Sequence, residues 1–453
     1  MGLKRFLLSN ILIGLFFLGC GDGGDNSGVN GTVLGVKKNI ALPEDNLFNK
    51  FNVGFGGSSS FPFLSTNGDI IWVSSTDLVL DDNIENSEYY QRIKDFNASA
   101  FDYLQKNLKN SKFLVYWLVE GWQENWFNIN KIQEAMDSGI VPVFNYWYFG
   151  DKLINGMPDS AKKAQYRDDY IRVATLLNQL HGKKILILEP EFNKNSVLSS
   201  EANQREFASI IGEAIDYIKD NTIDVLFSLA MTDTGNRGVN QTYSKCGYTN
   251  CALGDKYEWG RPEIVYNELL EKLDFISFQE MVAQFSRDPS NPGDWNNPNP
   301  KAYSDEEIGI ELLAERINNF AKFLHEKYNK PVFLPYIAIA TATWSDNNGN
   351  GEIEVSEVDK HGWENRAEQT YKKLSEIKNT LKSNGLFGFA PMALFDNPRH
   401  DYNGYQFFIN NEYHLGLVGS SAVDEVDIAP NGDLKFKLNI IPYIFGGSNR
   451  NSK

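Results

Sequence analysis

Short apolar runs alternate with segments of helical spacing along most of this chain, and this alternation restricts the possible folds more than any other feature. Continuous apolar runs are typical of parallel strands buried on both faces. Strands that alternate with helices pair in parallel through right-handed crossovers. Eight strand–helix units predict a single (β/α)8 barrel of the α/β class, with strands at 70–73, 113–117, 141–147, 185–188, 225–230, 275–278, 332–337 and 386–390.

The sequence around this pattern predicts four parts. A signal peptide covers 1–19, a flexible tether 20–45, the barrel 46–420, and a small C-terminal appendage of β-strands 421–453. The appendage rests on strand-like patterns at 424–428, 433–438 and 440–445, whereas the glycine-containing segment 51–56 is expected to be irregular. No glycine-rich phosphate-binding fingerprint follows the early strands, which argues against a dinucleotide-binding fold.

The beginning of the chain has the pattern of an export signal. Lys4 and Arg5 precede an apolar stretch at 6–18 that is short for a membrane span, and Phe17-Leu18-Gly19-Cys20 follows. This resembles a bacterial lipoprotein signal. The resemblance implies lipidation of Cys20 and a lipid-anchored protein of the bacterial cell envelope, facing the periplasm or the exterior. The alternative is an ordinary cleaved signal that leaves a free cysteine.

Cys246 and Cys251 are the other two cysteines of the chain. Their spacing closes a small loop if they are oxidised, and disulfides persist outside the cytosol. We therefore expect a disulfide, with metal binding by the two thiols as the alternative.

Charge and histidine content limit the possible partners. The formal net charge of -16 argues against nucleic acid. With five histidines, a zinc site is improbable. The chain is expected to act as a monomer.

The apolar run at 185–188 ends abruptly in polar residues, namely Glu189, Glu191 and Asn193. In an extended chain Glu189 and Glu191 would point to the same side, provided that Pro190 does not break the strand. The carboxyl ends of parallel strands are where ligands bind in α/β folds. At least one of the two glutamates is therefore expected to be catalytic or ligand-binding; the alternatives are a helix cap and a surface ion pair.

Other predicted strands also end in polar or aromatic groups. Each group alone could serve packing or helix capping, but together they predict a substrate site at one mouth of the barrel. The expected members besides the glutamates of strand four are Trp117, Glu120, Trp122, Asn145, Tyr146, Trp147, Asn193, Asp233, Gln279, Glu280, Asp396, Arg399 and His400. The segment that holds Arg399 and His400 could equally be a loop that closes the barrel.

Carboxylates beside aromatic rings, without a nucleophilic serine or cysteine, suit glycoside hydrolysis. That reaction uses two carboxylic groups, and tyrosine and tryptophan faces pack on sugar rings. Here the chain resembles the (β/α)8 glycoside hydrolases of clan A, whose acid/base glutamate ends strand four within Asn-Glu-Pro. This chain has Leu188-Glu189-Pro190, and residues 336–341 of strand seven lack the carboxylate that the clan places there.

The resemblance implies a glycosidase that acts on a polysaccharide or oligosaccharide. Glu189 or Glu191 would be the general acid and Glu280 its partner, with Asp233 and Asp396 as alternatives. Glu189 and Glu191 could also form the pair themselves. The rival hypothesis, favoured by the missing carboxylate of strand seven, is a non-catalytic glycan-binding or surface-assembly lipoprotein. A barrel enzyme of other chemistry, such as a lyase, is a third possibility.

A twelve-residue segment after strand seven, 346–357, resembles the calcium loop of EF-hands. The resemblance implies a structural Ca²⁺ that stiffens the mouth of the barrel, because no clear helix precedes the loop as a sensor would need. A polar surface loop is the alternative. The expected ligands are Asp346, Asn348, Asn350, Glu352 through its carbonyl, and Glu357.

Overall fold

The protein folds as a closed barrel of eight parallel strands with helices between them, as the sequence predicts. In this computed structural model the barrel belongs to one compact unit, 41–453. The residues that the structure describes are 46–56, 62–64, 70–72, 108–124, 127, 129–150, 152–233, 254–282, 313–344, 347–348, 355–396, 414–422, 425–426 and 435–446.

The barrel strands are numbered in chain order and close in sequence, with β1 pairing with both β2 and β8. Every pairing between them is parallel, so all carboxyl ends meet at one rim. The strands are β1 Asn52–Gly56, β2 Ser111–Val119, β3 Val141–Trp147, β4 Lys184–Leu188, β5 Val225–Thr232, β6 Ile276–Val282, β7 Val332–Ile339 and β8 Leu386–Pro391.

Helices surround this sheet. They are α1 Asn46–Asn49, α2 Ile129–Asp137, α3 Lys152–Asn155, α4 Ser160–Asn178, α5 Asn195–Leu198, α6 Glu201–Asn221, α7 Gly254–Gly260, α8 Glu263–Leu269, α9 Leu313–Tyr328, α10 Glu364–Glu376, α11 Lys378–Ser383 and α12 Ile440–Phe445, with a 3-10 turn at Val355–Glu357. Among the described residues, none of these helices is both long and apolar enough to cross a bilayer.

The first barrel strand is not the one that the sequence suggested. The apolar segment Ile70–Trp72 pairs antiparallel with Pro62–Leu64, and β1 comes from the glycine-containing segment instead. The reason is the short distance between β1 and β2. A Cβ on Gly54 would stand 2.3 Å from Phe113 Cβ, so only glycine lets β1 approach β2 this closely.

The barrel interior is apolar at the amino-terminal end of the strands. The rings of Phe333 and Phe387 stack with centroids 5.0 Å apart and planes 12° apart. Phe48 of α1 meets Phe387 edge to face with centroids 5.0 Å apart. Helix α1 therefore closes this end of the barrel, and the polar groups of the interior lie nearer the carboxyl ends.

The C-terminal part differs from the predicted group of strands in two places. In the described part of 433–438, only Phe436 forms a bridge, with Val418. Ser420–Ala422 and Glu425–Val426 form a short antiparallel pair, but residues 440–445 form helix α12. Leu438, Ile441 and Phe445 are buried. They follow one another along the chain at intervals of three and then four residues. This spacing fits one face of a helix better than alternation in a strand. The remaining short strands are Thr343–Trp344 with Val358–Asp359, and Ala393–Phe395 with Gly416–Val418.

Candidate active site

Glu191 lies at the carboxyl end of the barrel and is held by three side chains. The hydroxyl of Tyr336 on β7 donates to its Oε1 over 2.9 Å, and Gln279 Nε2 on β6 donates to the same oxygen. Lys194 Nζ donates to Oε2 over 2.7 Å. The side chain of Glu191 is still 22% exposed. It is therefore fixed in orientation and reachable from solvent.

Two tryptophans are linked to this carboxylate through the ring of Tyr336. The ring centroid of Trp117 on β2 lies 5.1 Å from that of Tyr336, which donates to Glu191. Trp147 at the end of β3 meets Trp117 edge to face at 6.2 Å. An aromatic wall thus runs from β3 through β2 to β7 and ends at Glu191. Trp147 is the member of this wall that is partly exposed, whereas Trp117 and Tyr336 are buried.

Several buried polar atoms around the same rim have no hydrogen-bond partner among the described residues. They are both side-chain polar atoms of Asn145, the indole N–H groups of Trp117 and Trp147, the hydroxyl of Thr232 and Oε1 of Gln279. Asn145 stands opposite Trp117 in the β2–β3 register, and Gln279 stands opposite both Thr232 and Tyr336. Buried polar groups are costly unless they are paired. A cluster of them at one rim indicates a place for water or a polar ligand.

The residues on either side of Glu191 anchor it to the neighbouring strands. Glu189 accepts hydrogen bonds from the backbone N–H groups of Tyr148 (3.2 Å) and Phe149 (3.1 Å), just beyond β3. Asn193 pairs with the backbone of Thr232 on β5, donating over 2.9 Å and accepting over 2.8 Å. The segment after β4 is thus fastened on both sides, and only Glu191 is left to face the mouth.

Glu189 and Glu191 therefore do not share a side, contrary to the expectation from strand alternation. Both have positive φ, 39° for Glu189 and 66° for Glu191, so the chain leaves the extended conformation directly after Leu188. Non-glycine residues in this region carry strain of order 1–3 kcal/mol each, and such strain concentrates at functional sites. Glu189 is fully buried, while Glu191 faces the mouth.

The two carboxyls also differ in acidity. Burial raises the pKa of Glu189 to about 8, against the opposing effect of the amide hydrogen bonds from Phe149, Tyr148 and Gly150. At Glu191 burial acts in the same upward direction, but the charge of Lys194 and the hydrogen bonds from Lys194, Gln279 and Tyr336 prevail and lower its pKa. Glu191 is consequently an ionised carboxylate at neutral pH.

Glu280 points away from this cluster. Its strand neighbour Gln279 reaches Glu191, and Ser277 reaches Ser228 across the barrel interior at 2.8 Å. Phe278, on the opposite face of β6, packs on Phe320 of α9 with centroids 4.6 Å apart. Since strand residues alternate, Glu280 belongs with Phe278 on the helix-facing side. The structure does not bring it together with Glu191.

Three more of the expected site residues lie between β2, β3 and the helices. Trp122 Nε1 and Tyr146 OH both donate to Asp169 of α4, over 3.0 and 2.8 Å. Glu120 pairs with Lys152 and Lys162 at the surface. These contacts are typical of packing residues for Trp122 and Tyr146, and of a surface ion pair for Glu120. Packing and surface roles are the ordinary alternative that the sequence left open.

Asp233 and Asp396 are buried in ion pairs. Arg316 of α9 contacts both oxygens of Asp233, and Trp259 Nε1 donates to it over 2.9 Å. Asp396 accepts from Lys437 Nζ over 2.7 Å. Burial would raise the pKa of Asp396, but the charge of Lys437 and the hydrogen bond of His414 lower it. Both aspartates tie segments beyond the strands to the barrel and do not contact Glu191.

Part of the predicted calcium loop is described, and its ends lie close together. Glu357, which is 8% exposed, accepts hydrogen bonds through Oε1 from the backbone N–H groups of Asn347 (2.7 Å) and Asn348 (3.1 Å). These bonds bring the two ends of the loop together, and calcium binding by Asn348 and Glu357 stays a prediction. Asp346, Asn350 and Glu352 lie outside the described residues, as do Arg399, His400, Cys20, Cys246 and Cys251, so these assignments stay predictions.

Two residues of the cluster were not singled out from the sequence. Tyr336 is the fifth of the eight residues of β7, the strand on which the resemblance implies a carboxylate. An aromatic residue near the end of the predicted strand 332–337 is the signal that marks it. Lys194 follows Glu191 by three residues, a spacing that permits an ion pair within one turn.

Comparisons with known proteins give a likeness at the level of the barrel. No protein-family model and no curated protein matches the chain. Among solved structures, it resembles a β-glucosidase from Thermotoga maritima in complex with deoxynojirimycin, with 13% identity over 84% of this chain and 95% of that one and a TM-score of 0.46. A β-glucosidase from Exiguobacterium marinum shows 12% identity over 87% and 97% of the two chains, with a TM-score of 0.48. No residue role is transferred at this distance.

Proposed function

We propose that this protein is a glycoside hydrolase that acts on a polysaccharide or oligosaccharide. The observation that carries the proposal is the ionised, partly exposed Glu191 beside the Trp147–Trp117–Tyr336 wall, within a rim of unpaired buried polar groups. The aromatic faces would pack on sugar rings, and Asn145, Gln279 and Thr232 would hydrogen-bond hydroxyls.

In this proposal Glu191 acts as the nucleophile or the general base. The charge of Lys194 and the hydrogen bonds from Tyr336 and Gln279 keep it ionised, which suits either role and does not suit proton donation. The general acid is a second carboxyl group. This group would stand about 5–10 Å from Glu191 and need not contact it. Of the two glutamates first expected to fill the role, Glu189 is enclosed by the amides of Tyr148 and Phe149, and Glu280 belongs to the other face of β6.

The test is reducing-sugar release and glycan binding across a polysaccharide panel, with wild type and Glu191→Gln. The variant should lose activity by about 10²–10⁴-fold, the usual contribution of such a group, while it keeps its affinity for the glycan. Glu280→Gln, buried on the other face of β6, is the matched control and should retain activity. If wild type cleaves glycans and Glu191→Gln cleaves equally well, the assignment of Glu191 is wrong.

The second candidate is a glycan-binding protein without catalysis. One observation favours it: among the described residues, Glu191 is the single carboxylate within the aromatic cluster, whereas hydrolysis needs two. Under this alternative wild type would bind a glycan and never cleave it. Trp147→Ala would then weaken binding, whereas Glu191→Gln would change it little.

A further inference from the structure

The carboxyl group of Glu189 has no role in the proposed hydrolysis, but it organises the turn that follows β3. Its Oε1 accepts from the backbone N–H of Tyr148 over 3.2 Å, and its Oε2 accepts from that of Phe149 over 3.1 Å. The backbone N–H of Gly150 also hydrogen-bonds to it. One side chain directly after β4 therefore binds three successive amides, those of residues 148–150, which we call the β3 turn.

The last residue of the β3 turn packs on the ring of Trp147. A Cβ on Gly150 would stand 3.1, 3.2 and 3.3 Å from Cε2, Cζ2 and Cδ2 of that indole. Nearly equal distances to three connected ring atoms place the Gly150 backbone over the face of the ring and not at its edge. Trp147 therefore has one face covered by the β3 turn, while its side chain remains the partly exposed member of the aromatic wall.

The side chains of the β3 turn are fixed by packing on α4. The ring centroid of Tyr166 lies 5.1 Å from that of Tyr148 and 4.6 Å from that of Phe149, and all three rings are buried. Gly150 has a φ of 51°, a conformation that glycine adopts without steric cost. The turn is thus held through its amides by Glu189 and through its side chains by Tyr166.

From this series of contacts we propose that Glu189 is a positioning residue for glycan binding, which fixes the β3 turn and thereby the orientation of Trp147. The inference rests on the proposed function, since its ligand is the glycan of that proposal. A tryptophan ring packs on the apolar face of a sugar, and a ring that is already fixed loses less conformational freedom on binding. Glu189 acts through Trp147 and does not touch the sugar, in agreement with its complete burial.

The first measurement is ¹⁹F NMR of the protein labelled with 5-fluorotryptophan, with Trp147→Phe identifying the Trp147 signal. In Glu189→Gln an NH₂ group replaces one oxygen, so one amide of the β3 turn faces a donor and loses its acceptor. We expect the Trp147 signal to shift or broaden in this variant. An unchanged signal would overturn the proposal, whether or not the protein cleaves glycans.

The matched control for this measurement is Asp274→Asn. The carboxylate of Asp274 also accepts from a backbone amide, that of Phe227 over 2.8 Å, but it precedes β6 at the amino-terminal end of the strands. Its replacement should leave the Trp147 signal and the glycan affinity as in wild type. Thermal unfolding of each variant verifies that it is folded.

The second measurement is a double-mutant cycle on the affinity for a glycan that wild type binds. Glu189→Gln should weaken binding about tenfold, an effect of the size of one lost hydrogen bond. In the Trp147→Ala background the same change should alter the affinity by no more than about twofold, because its effect passes through Trp147. Losses that add in full would show that Glu189 acts elsewhere and would overturn the proposal.

Gly150→Ala tests the β3 turn at its other end. The added Cβ would press on the Trp147 ring, so this variant should also lose glycan affinity. Gly182→Ala is the control, because Gly182 has a positive φ of 103° but a Cβ there would meet only Met136 Cε, at 3.5 Å. It should bind as wild type does, and equal affinities of the two alanine variants would count against the contact between Gly150 and Trp147.

The affinities are measured without turnover, so the two proposals can fail separately. A protein that binds glycan with the expected cycle but never cleaves it contradicts the hydrolase proposal and supports this one. A protein that cleaves glycan but shows fully additive losses contradicts this proposal alone. If wild type binds no glycan, both are wrong.

Discussion

At the scale of single residues, two glutamates separated by one proline have opposite surroundings. Glu189 is fully buried and accepts from the Tyr148 and Phe149 amides, whereas Glu191 is met by an ammonium and two neutral donors. Burial dominates the pKa of the first, and charge with hydrogen bonding dominates that of the second. Glu189 anchors the segment after β4, and burial raises its pKa. Glu191 is ionised, which is the state that the proposed hydrolysis requires of a nucleophile or a general base.

The raised pKa of Glu189 predicts a pH dependence of stability. Its folded pKa of about 8 lies above the ordinary value of 4.5, so the folded state binds this proton more tightly than the unfolded state does. The stabilisation is complete below the ordinary value and is lost as pH rises towards 8. Its size is a few kcal/mol, since each pKa unit corresponds to about 1.4 kcal/mol.

The measurement is the melting temperature of wild type and Glu189→Gln between pH 5 and pH 8. The wild-type value should fall more steeply with rising pH than that of the variant. Glu201→Gln, whose target side chain is 79% exposed, should follow the wild-type slope. Equal slopes for wild type and Glu189→Gln would show that Glu189 does not titrate in this range.

At the scale of elements, backbone space decides which segment becomes β1. β1 fits its place because Gly54 and Gly56 have no Cβ where β2 and the segment after β8 come close. A Cβ on Gly56 would stand 1.7 Å from the carbonyl oxygen of Met392, which follows β8. Gly54 and Gly56 therefore allow β1 to fit its place. The same glycines are the reason why the sequence at 51–56 suggests an irregular segment.

Gly56→Ala should destabilise the fold by about 1–3 kcal/mol, the usual range for overpacking a well-packed site. The clash is with backbone, so β1 or the segment after β8 must move. Gly156→Ala is the control, because a Cβ there meets nothing within 4 Å. Urea unfolding followed by fluorescence measures both. If Gly56→Ala and Gly156→Ala unfold at the same urea concentration, the close approach at Gly56 is not a constraint.

At the scale of the whole molecule, the sequence predicts the barrel. It does not predict which side chains at the end of each strand point into the mouth. Apolar runs such as 185–188 indicate the strand positions, because strands buried on both sides have that composition. Beyond the last strand residue the chain turns, and alternation no longer tells which side chain enters the mouth. Glu191 and Trp147 enter it, while Glu189 and Trp122 pack outside, although all four follow or end apolar runs.

The calcium loop gives a prediction for the stability of the whole protein. If Asn348 and Glu357 ligate Ca²⁺ together with the other predicted loop residues, calcium binds the folded state and stabilises it, by about 2.7 kcal/mol at a concentration 100 times Kd. Thermal unfolding should then shift upward with CaCl₂ and downward with EDTA in wild type, and neither shift should occur in Glu357→Gln. The exposed Glu376 gives the control variant Glu376→Gln, which should respond like wild type. If calcium leaves the melting temperature unchanged, the prediction that this loop binds calcium is wrong.

The closure of the barrel by α1 has a consequence for access. Phe48 is seated on Phe387 at the amino-terminal end of the strands, whereas Trp147 and Glu191 stand at the carboxyl end. The nine residues of β2 span about 30 Å between these ends. A probe coupled to α1 itself would therefore stand at the closed end of the barrel and leave the mouth free.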